Sequence, residues 1–340
     1  MLEYYPWSEQ VLEESLASYA YGNFPILDIQ LGGGCNFSCL YCDSPGRSIK
    51  SNVNVGWIQE QLAKGQIKWV FICGLGEPTH DSNIVQLKAI LEICQKNDVK
   101  CSMFTNLSLI DEEIKEFIRN GVLYILFKLD TLDPKMAQSL FGVNSLDGYF
   151  NEVSCVRELV KIDRGHTNIA ASIVPTQKNK SELVGIFNYC LDNGIYPLIG
   201  DLEDSGKSAE LYKTLKISDV DLSRIKGIIE NERHIQYHIP ICPSVICGVH
   251  IDYEGKVIVD ENTGLSCHWF WLKEPKVKVL IGCVYNVSFE YVRKSIMGYR
   301  NTQLSRVKDS LNTIDAMVFG GCGGDVKSLL SKYINVMTAT

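Results

Sequence analysis

Cys35-Asn-Phe-Ser-Cys39-Leu-Tyr-Cys42 is a C-x3-C-x2-C run that follows directly on Gly32-Gly33-Gly34. Three closely spaced thiolates on one loop can hold three irons of a [4Fe–4S] cubane and leave the fourth iron open to a ligand. The glycines let the backbone wrap such a group and bring amides to its sulfurs. Structural zinc prefers four protein ligands. No fourth Cys or His lies nearby in sequence, which favours iron–sulfur over zinc.

Further along, Cys73-Gly74-Leu75-Gly76-Glu77-Pro78-Thr79 combines backbone that a ligand can approach with a carboxylate able to attract an ammonium group. Thr105-Asn106 precedes Leu107; Lys128 and Asp130 lie two apart; Ser172 is a hydroxyl inside an apolar run. Lys128 suits either a ligand carboxylate or a structural ion pair. Asp201, Glu203 and Asp204 form an acidic segment that suits a cationic substrate group or plain solvation. A second cysteine group, Cys242, Cys247, Cys267, Cys283 and Cys322, occupies the last hundred residues. His250 and His268 keep zinc open as an occupant there. Cys73, Cys94, Cys101, Cys155 and Cys190 fall inside predicted strands and helices and read as small buried hydrophobes.

The elements that must position these residues follow from hydrophobic period and punctuation. Strands are expected near 26–31, 68–73, 99–104, 123–129, 169–174 and 195–199, with helices between them. Six strand–helix units in order favour a parallel sheet with right-handed crossovers. Six are too few for a closed eight-stranded barrel, so the fold class is α/β: a partial (β/α)6 barrel followed by a smaller cysteine-rich α+β domain. Residues 1–23 read as an N-terminal extension, 24–218 as the barrel, 219–241 as a connecting helix or linker, and 242–340 as the second domain. A hairpin over 250–259 should turn at Glu254-Gly255. Every candidate residue in the barrel falls at a strand C-terminus, the face where parallel α/β barrels place their chemistry.

In order and position these segments resemble the radical S-adenosylmethionine (SAM) superfamily, whose signature is C-x3-C-x2-C after the first strand with an aromatic before the third Cys, here Tyr41. The resemblance implies a SAM-cleaving [4Fe–4S] cluster on Cys35, Cys39 and Cys42 with an open iron that SAM chelates. Gly74, Gly76, Glu77 and Pro78 match the family's G-x-G-E-P segment. Thr105 and Asn106 match its T-N-G, with Leu107 in place of the glycine. Tyr41, Lys128, Asp130 and Ser172 complete the implied SAM site. Reductive cleavage gives a 5′-deoxyadenosyl radical that takes a hydrogen atom from substrate.

The second cysteine group resembles the SPASM or twitch extensions that carry auxiliary [4Fe–4S] clusters. Five cysteines suffice for one cluster, for which Cys247, Cys267, Cys283 and Cys322 are the expected ligands. Cys242 is then a ligand in place of Cys283, a hydrogen-atom donor to a substrate radical, or a packed thiol. Relatives with such extensions mostly act on ribosomally made peptides, which they epimerise, cross-link or oxidise. An aminocyclitol or aminosugar dehydrogenase or epimerase, and an activase that makes a glycyl radical on a partner protein, are the alternatives. The implied partners are a peptide or small polar substrate, an external one-electron donor such as flavodoxin or ferredoxin, and a separate leader-peptide-binding protein.

Composition narrows the setting. A formal net charge of −7 speaks against a nucleic-acid-gripping surface. No apolar run spans a bilayer, and the polar, acidic start is no signal peptide. A cytoplasmic protein is expected, where clustered cysteines bind metal more often than they pair as disulfides.

Overall fold

The computed structural model describes residues 4–42, 49–143, 147–162, 168–200, 202, 208–235, 242–261, 264–266, 278–307, 318–319 and 324–325. Its centre is a seven-stranded sheet in which every neighbouring pair is parallel. The strands are β1 (Ile26–Leu31), β2 (Trp69–Gly74), β3 (Lys100–Thr105), β4 (Leu123–Lys128), β5 (Ile169–Ile173), β6 (Tyr196–Ile199) and β7 (Gly248–Ile251). They run in the order β6-β5-β4-β3-β2-β1-β7. The first six are the expected partial barrel. The seventh comes from residues that the sequence assigns to the second domain, and it pairs along β1 with Ile26 opposite Gly248 and Asp28 opposite His250.

Period-two alternation divides the strand residues between two faces. Ile29, Ile72, Met103, Ile125 and Ala171 lie on the outer face, fully buried under the helices. The inner face carries Asp28, Gln30, Phe71, Cys73, Ser102, Tyr124, Lys128, Ser172 and His250, which the register places beside one another. A lumen lined by polar groups therefore faces the chain's own chemistry, while the apolar face holds the fold together.

The N-terminal extension packs at the floor of this lumen. Helix α1 (Glu9–Ala20) starts at Ser8, whose side chain accepts a hydrogen bond from the Val11 N–H. Just before it, Tyr4 is bonded to Ser102 Oγ at 2.8 Å, and the Tyr5 ring packs 5.8 Å from Trp69 and 5.6 Å from Tyr124. Trp69 and Tyr124 stand near the N-terminal ends of their strands, so the aromatic cluster packs at that end of the sheet, opposite the strand C-termini.

Seven further helices matter for position: α2 (Val55–Ala63), α3 (Ile84–Lys96), α4 (Glu112–Arg119), α5 (Pro134–Phe141), α6 (Asp147–Ile162), α7 (Leu183–Asp192) and α8 (Ser208–Leu215). Helix α5 was not evident from the sequence, although Asp133 caps it and Pro134 opens it. Residues Asp219–Arg233 form α9, capped by Ser218. A single turn, α10 (Ser244–Cys247), leads into β7. The chain then turns at Gly255, with φ +78°, into β8 (Lys256–Asp260), which pairs antiparallel with β9 (Lys278–Cys283). A long helix, α11 (Phe289–Val307), returns across this region. Its Arg300 is fully buried, donating to the carbonyls of Gly264 at 3.1 Å and Ile246 at 2.5 Å.

Candidate active site

The loops that follow β1 to β4 converge at the open mouth. Cys35, Cys39 and Cys42 are all half-buried on the loop after β1. Burial pushes the Cys39 thiol up to about 12, Lys128 opposes the shift, and the nearby Cys42 and Cys35 add to it. That mutual influence marks three thiols gathered in one place. The Phe37 N–H donates to Cys35 Sγ at 3.4 Å, as expected of a loop folded around sulfur.

The sequence keeps this loop in shape by fastening it at both ends. Ser38 N–H donates to the Phe141 carbonyl and Leu40 N–H to the Leu140 carbonyl, at 2.7 and 2.8 Å. The Phe37 and Phe141 rings stack at 5.4 Å. Gly142, with φ +59°, closes α5 against Ser38 so tightly that a Cβ would meet the Ser38 carbonyl at 2.3 Å. At the other side, Asn36 donates to Ser108 Oγ at 2.7 Å and accepts from Asn106 Nδ2 at 3.0 Å.

Glu77 is buried, and its carboxylate braces two loops. One oxygen accepts from Thr105 Oγ1 (2.6 Å), Thr79 Oγ1 (2.7 Å) and Thr79 N (3.1 Å); the other accepts from Asn106 N (2.7 Å). Burial raises its proton affinity and these donors lower it, with the balance above the usual carboxylate value. An incoming ammonium group would share this carboxylate with four protein donors. Gly76 lies so close to the triple glycine that a Cβ would fall 2.2 Å from the Gly34 carbonyl oxygen, and Glu77 N–H donates to that oxygen at 2.8 Å. The two glycine segments therefore fit as one surface.

Lys128, at the end of β4, has its ammonium 2.7 Å from Asp130 and 4.4 Å from the centre of the Tyr41 ring. Burial lowers its proton affinity, but Asp130 and then Cys39 outweigh that and hold it protonated. Asp130 also accepts the Tyr41 hydroxyl at 2.5 Å and the Val174 N–H at 2.6 Å. Ser172, opposite Lys128 in register, is buried at the same mouth. The structure thus brings Tyr41, Gly74, Gly76, Glu77, Thr105, Asn106, Lys128, Asp130 and Ser172 to one end of the barrel.

Sequence reasoning passed over Asn36, Thr79 and Glu152. The first two are short polar side chains with no period to mark them. Glu152, on α6, is buried, and its proton affinity is well above the carboxylate norm because of burial and then Asp130. Its place behind Asp130 depends on the crossing of α6 over the sheet, which no local pattern encodes.

Residues 29–169 match the family model described as Radical SAM superfamily. This is a radical SAM domain. The superfamily so described works with a [4Fe–4S] cluster and SAM. A probable GTP 3′,8-cyclase of Sulfurisphaera tokodaii is 28% identical over 176 residues, covering 50% of this chain and 53% of that protein. The GTP 3′,8-cyclase of Vibrio parahaemolyticus is 22% identical over 243 residues, 69% of this chain and 70% of that protein. The chain therefore matches about half the length of the first of these relatives. Among solved structures, Streptococcus suis SuiB bound to the precursor peptide SuiA superposes with a TM-score of 0.60 at 17% identity, over 84% of this chain and 68% of that one. The anSMEcpe enzyme with bound AdoMet gives 0.58 at 13% identity, over 82% and 84%. Among the described residues no helix is long and apolar enough to cross a membrane.

The second cysteine group is only partly in view. Cys267 and Cys322 lie outside the described residues, as do Asp201, Glu203 and Asp204. Cys247 is fully buried at the end of α10, where burial pushes its thiol up to about 12 against the pull of Arg300. Cys283 ends β9 opposite Lys256, with its Sγ 3.5 Å from the Glu254 carbonyl. Asp252 N–H donates to the Lys256 carbonyl, so Cys283 sits beside the turn that joins β7 to β8, whereas Cys247 precedes Gly248 at the far end of β7; the hairpin expected over 250–259 is thus a turn between strands of two different sheets. Four residues of strand separate those levels, about 13 Å. Cys242 is buried at the α10 end and close to Tyr4 of the floor. It therefore stands at the opposite end of the barrel from the Cys35–Cys42 loop, which argues against its donating hydrogen to a substrate radical. Cys73 needs the reverse correction. It is half-buried on the inner face and donates to Asp28 at 2.8 Å, whereas Cys94, Cys101, Cys155 and Cys190 are buried as the packing reading requires.

Proposed function

We propose that the protein cleaves SAM at the barrel mouth and takes a hydrogen atom from a substrate held in the lumen, the substrate being a ribosomally made peptide that is epimerised, cross-linked or oxidised. The observation that carries the chemistry is the convergence of the cysteine loop, the Gly74–Glu77 loop, Thr105-Asn106 and the Lys128–Asp130 pair at the strand C-terminal end of the barrel, opposite the aromatic cluster. Cys35, Cys39 and Cys42 would hold a [4Fe–4S] cluster, which would supply the one-electron chemistry for reductive cleavage of SAM. The chain's own groups hold the loop and present a protonated Lys128 to a carboxylate. A flavodoxin or ferredoxin is the proposed source of electrons.

The peptide assignment is supported by the fold shared with SuiB, solved with the precursor peptide SuiA, and with anSMEcpe, solved with the Cp18Cys peptide. The names of the sequence relatives favour a second substrate, GTP. A panel of candidate precursor peptides, GTP and aminocyclitols, each added with SAM and reductant, separates them. A peptide should raise 5′-deoxyadenosine formation and gain a modified residue. A rise with GTP alone, with a nucleotide product, would replace the peptide by GTP, and a rise with an aminocyclitol would restore that alternative.

We also propose one auxiliary [4Fe–4S] cluster. Cys242 lies just before the single turn α10 and Cys247 ends it, and the buried Arg300 guanidinium near Cys247 suits an anionic group. With Cys283 beside the turn beyond the far end of β7, the favoured ligands are Cys242, Cys247, Cys267 and Cys322.

A further inference from the structure

β7 does more than extend the sheet. By pairing along β1 it sets His250 directly opposite Asp28, on the inner face where Cys73 of β2 also lies. The carboxylate of Asp28, the thiol of Cys73 and a ring nitrogen of His250 all fall within 4.8 Å of one another. Cys73 Sγ is 2.8 Å from Asp28 Oδ1, and His250 Nδ1 is 3.3 Å from Asp28 Oδ2. Asp28 and His250 are buried, whereas Cys73 is half-buried and borders the lumen just before the Gly74–Glu77 loop.

We infer that Asp28, Cys73 and His250 form a second, mononuclear metal site in the barrel lumen, built for one divalent ion of the zinc type with a coordination position open to the lumen. The donor set is one sulfur, one nitrogen and one oxygen, the mixture zinc accepts. Tetrahedral bonds of 2.0 to 2.3 Å put ligand atoms about 3.3 to 3.8 Å apart. The two separations from Asp28, 2.8 and 3.3 Å, lie just below and at the short edge of that spacing, and all three donor atoms fall within 4.8 Å of one another, so small side-chain shifts complete the site. Three protein ligands are the number that leaves a fourth position free, as in zinc sites that bind water or substrate. The ligands come from three adjacent strands of a rigid sheet, which fixes their directions better than a loop would. Ser244, buried at the start of α10, places its hydroxyl 3.5 Å from Asp28 Oδ2 and steadies the carboxylate from behind. The site lies deeper in the lumen than the cysteine loop, on the same inner face as Lys128 and Ser172. A substrate oxygen or carboxylate bound at the open position would be held between the metal and the mouth. Metal binding itself does not depend on which substrate the enzyme takes.

The test uses the full chain, purified anaerobically with its clusters, cleared of loose metal by a mild chelator and given Zn2+ alone. The wild type should retain about one zinc per chain after gel filtration. Cys73→Ala and Asp28→Asn should each retain at least about ten-fold less, with iron content and SAM cleavage as fold controls. Co2+ in place of Zn2+ should give a near-ultraviolet thiolate-to-cobalt band in the wild type that Cys73→Ala removes and Cys283→Ala keeps. A wild type that holds no zinc overturns the site whatever the variants do. So does zinc or the cobalt band surviving in Cys73→Ala, which would place the ion among the other cysteines.

Discussion

Asp130 Oδ2 stands 2.7 Å from the Lys128 ammonium and accepts the Tyr41 hydroxyl at 2.5 Å. One carboxylate thus orients both a cation at the mouth and the aromatic residue between Cys39 and Cys42. Asp130→Asn should cost more stability than Lys128→Met. It leaves a buried ammonium without its counter-charge, a loss of about 3 to 5 kcal/mol, while Lys128→Met also removes a charge but leaves Asp130 its Tyr41 and Val174 donors. Thermal unfolding of the two variants checks the order. Equal destabilisation would mean the pair is solvated. In SAM binding the order should reverse in kind: Lys128→Met should raise the SAM Kd with iron content unchanged.

Glu77 gives a test of the loop brace. Glu77→Gln replaces one acceptor oxygen by a donor facing donors, so SAM affinity should fall and unfolding should cost about 1 to 3 kcal/mol less near neutral pH. The same carboxyl adds a pH signature. Its folded pKa lies above the ordinary 4.5, so it favours the fold fully below that value, and this contribution is lost as pH rises through its folded pKa. The stability advantage of wild type over Glu77→Gln should therefore shrink as pH is raised above 4.5. An advantage that grows with pH would mean the carboxylate is better stabilised in the fold than in the unfolded chain.

Gly76→Ala should separate two loops. Its Cβ would meet the Gly34 carbonyl oxygen at 2.2 Å and Gly33 backbone at 2.5 Å, and backbone on both sides leaves no flexible atom to yield. SAM binding should be lost, and cluster iron reduced because Gly34 adjoins Cys35. Near-normal SAM binding by this variant would show that the two glycine segments are not in contact when the site is loaded.

Much of this site is legible in the residues themselves. The C-x3-C-x2-C spacing, the Gly74–Glu77 segment and the alternation of strands and helices announce a partial barrel with its chemistry at the strand C-termini. What stayed hidden is the long-range pairing. Nothing local says that Gly248–Ile251 joins β1, and so the grouping of His250 with Asp28 and Cys73 was invisible and Cys73 read as packing. Leu107 shows a subtler limit. In place of a glycine it suggests a stiffer, altered loop, yet the structure holds it at φ +61°, the left-handed conformation a glycine would take. Its side chain is buried, and that packing offsets the backbone strain.

Iron content separates the auxiliary ligand sets. Reconstituted wild type should hold about eight irons from two cubanes. Cys283→Ala should keep them all, and Cys242→Ala should lose about half, because Cys242 lies before the start of β7 and Cys283 beside the turn that follows its end. Full iron in Cys242→Ala with half lost in Cys283→Ala would return Cys283 to the cluster.

The most direct measurement is SAM turnover by the reduced protein. Anaerobically reconstituted wild type, given SAM and a strong one-electron reductant, should form 5′-deoxyadenosine and methionine, and Cys39→Ala, which removes one of the three thiols gathered on the loop after β1, should form neither. Continued formation of 5′-deoxyadenosine by Cys39→Ala, or none by a wild type carrying its full iron, would contradict radical SAM chemistry at this site.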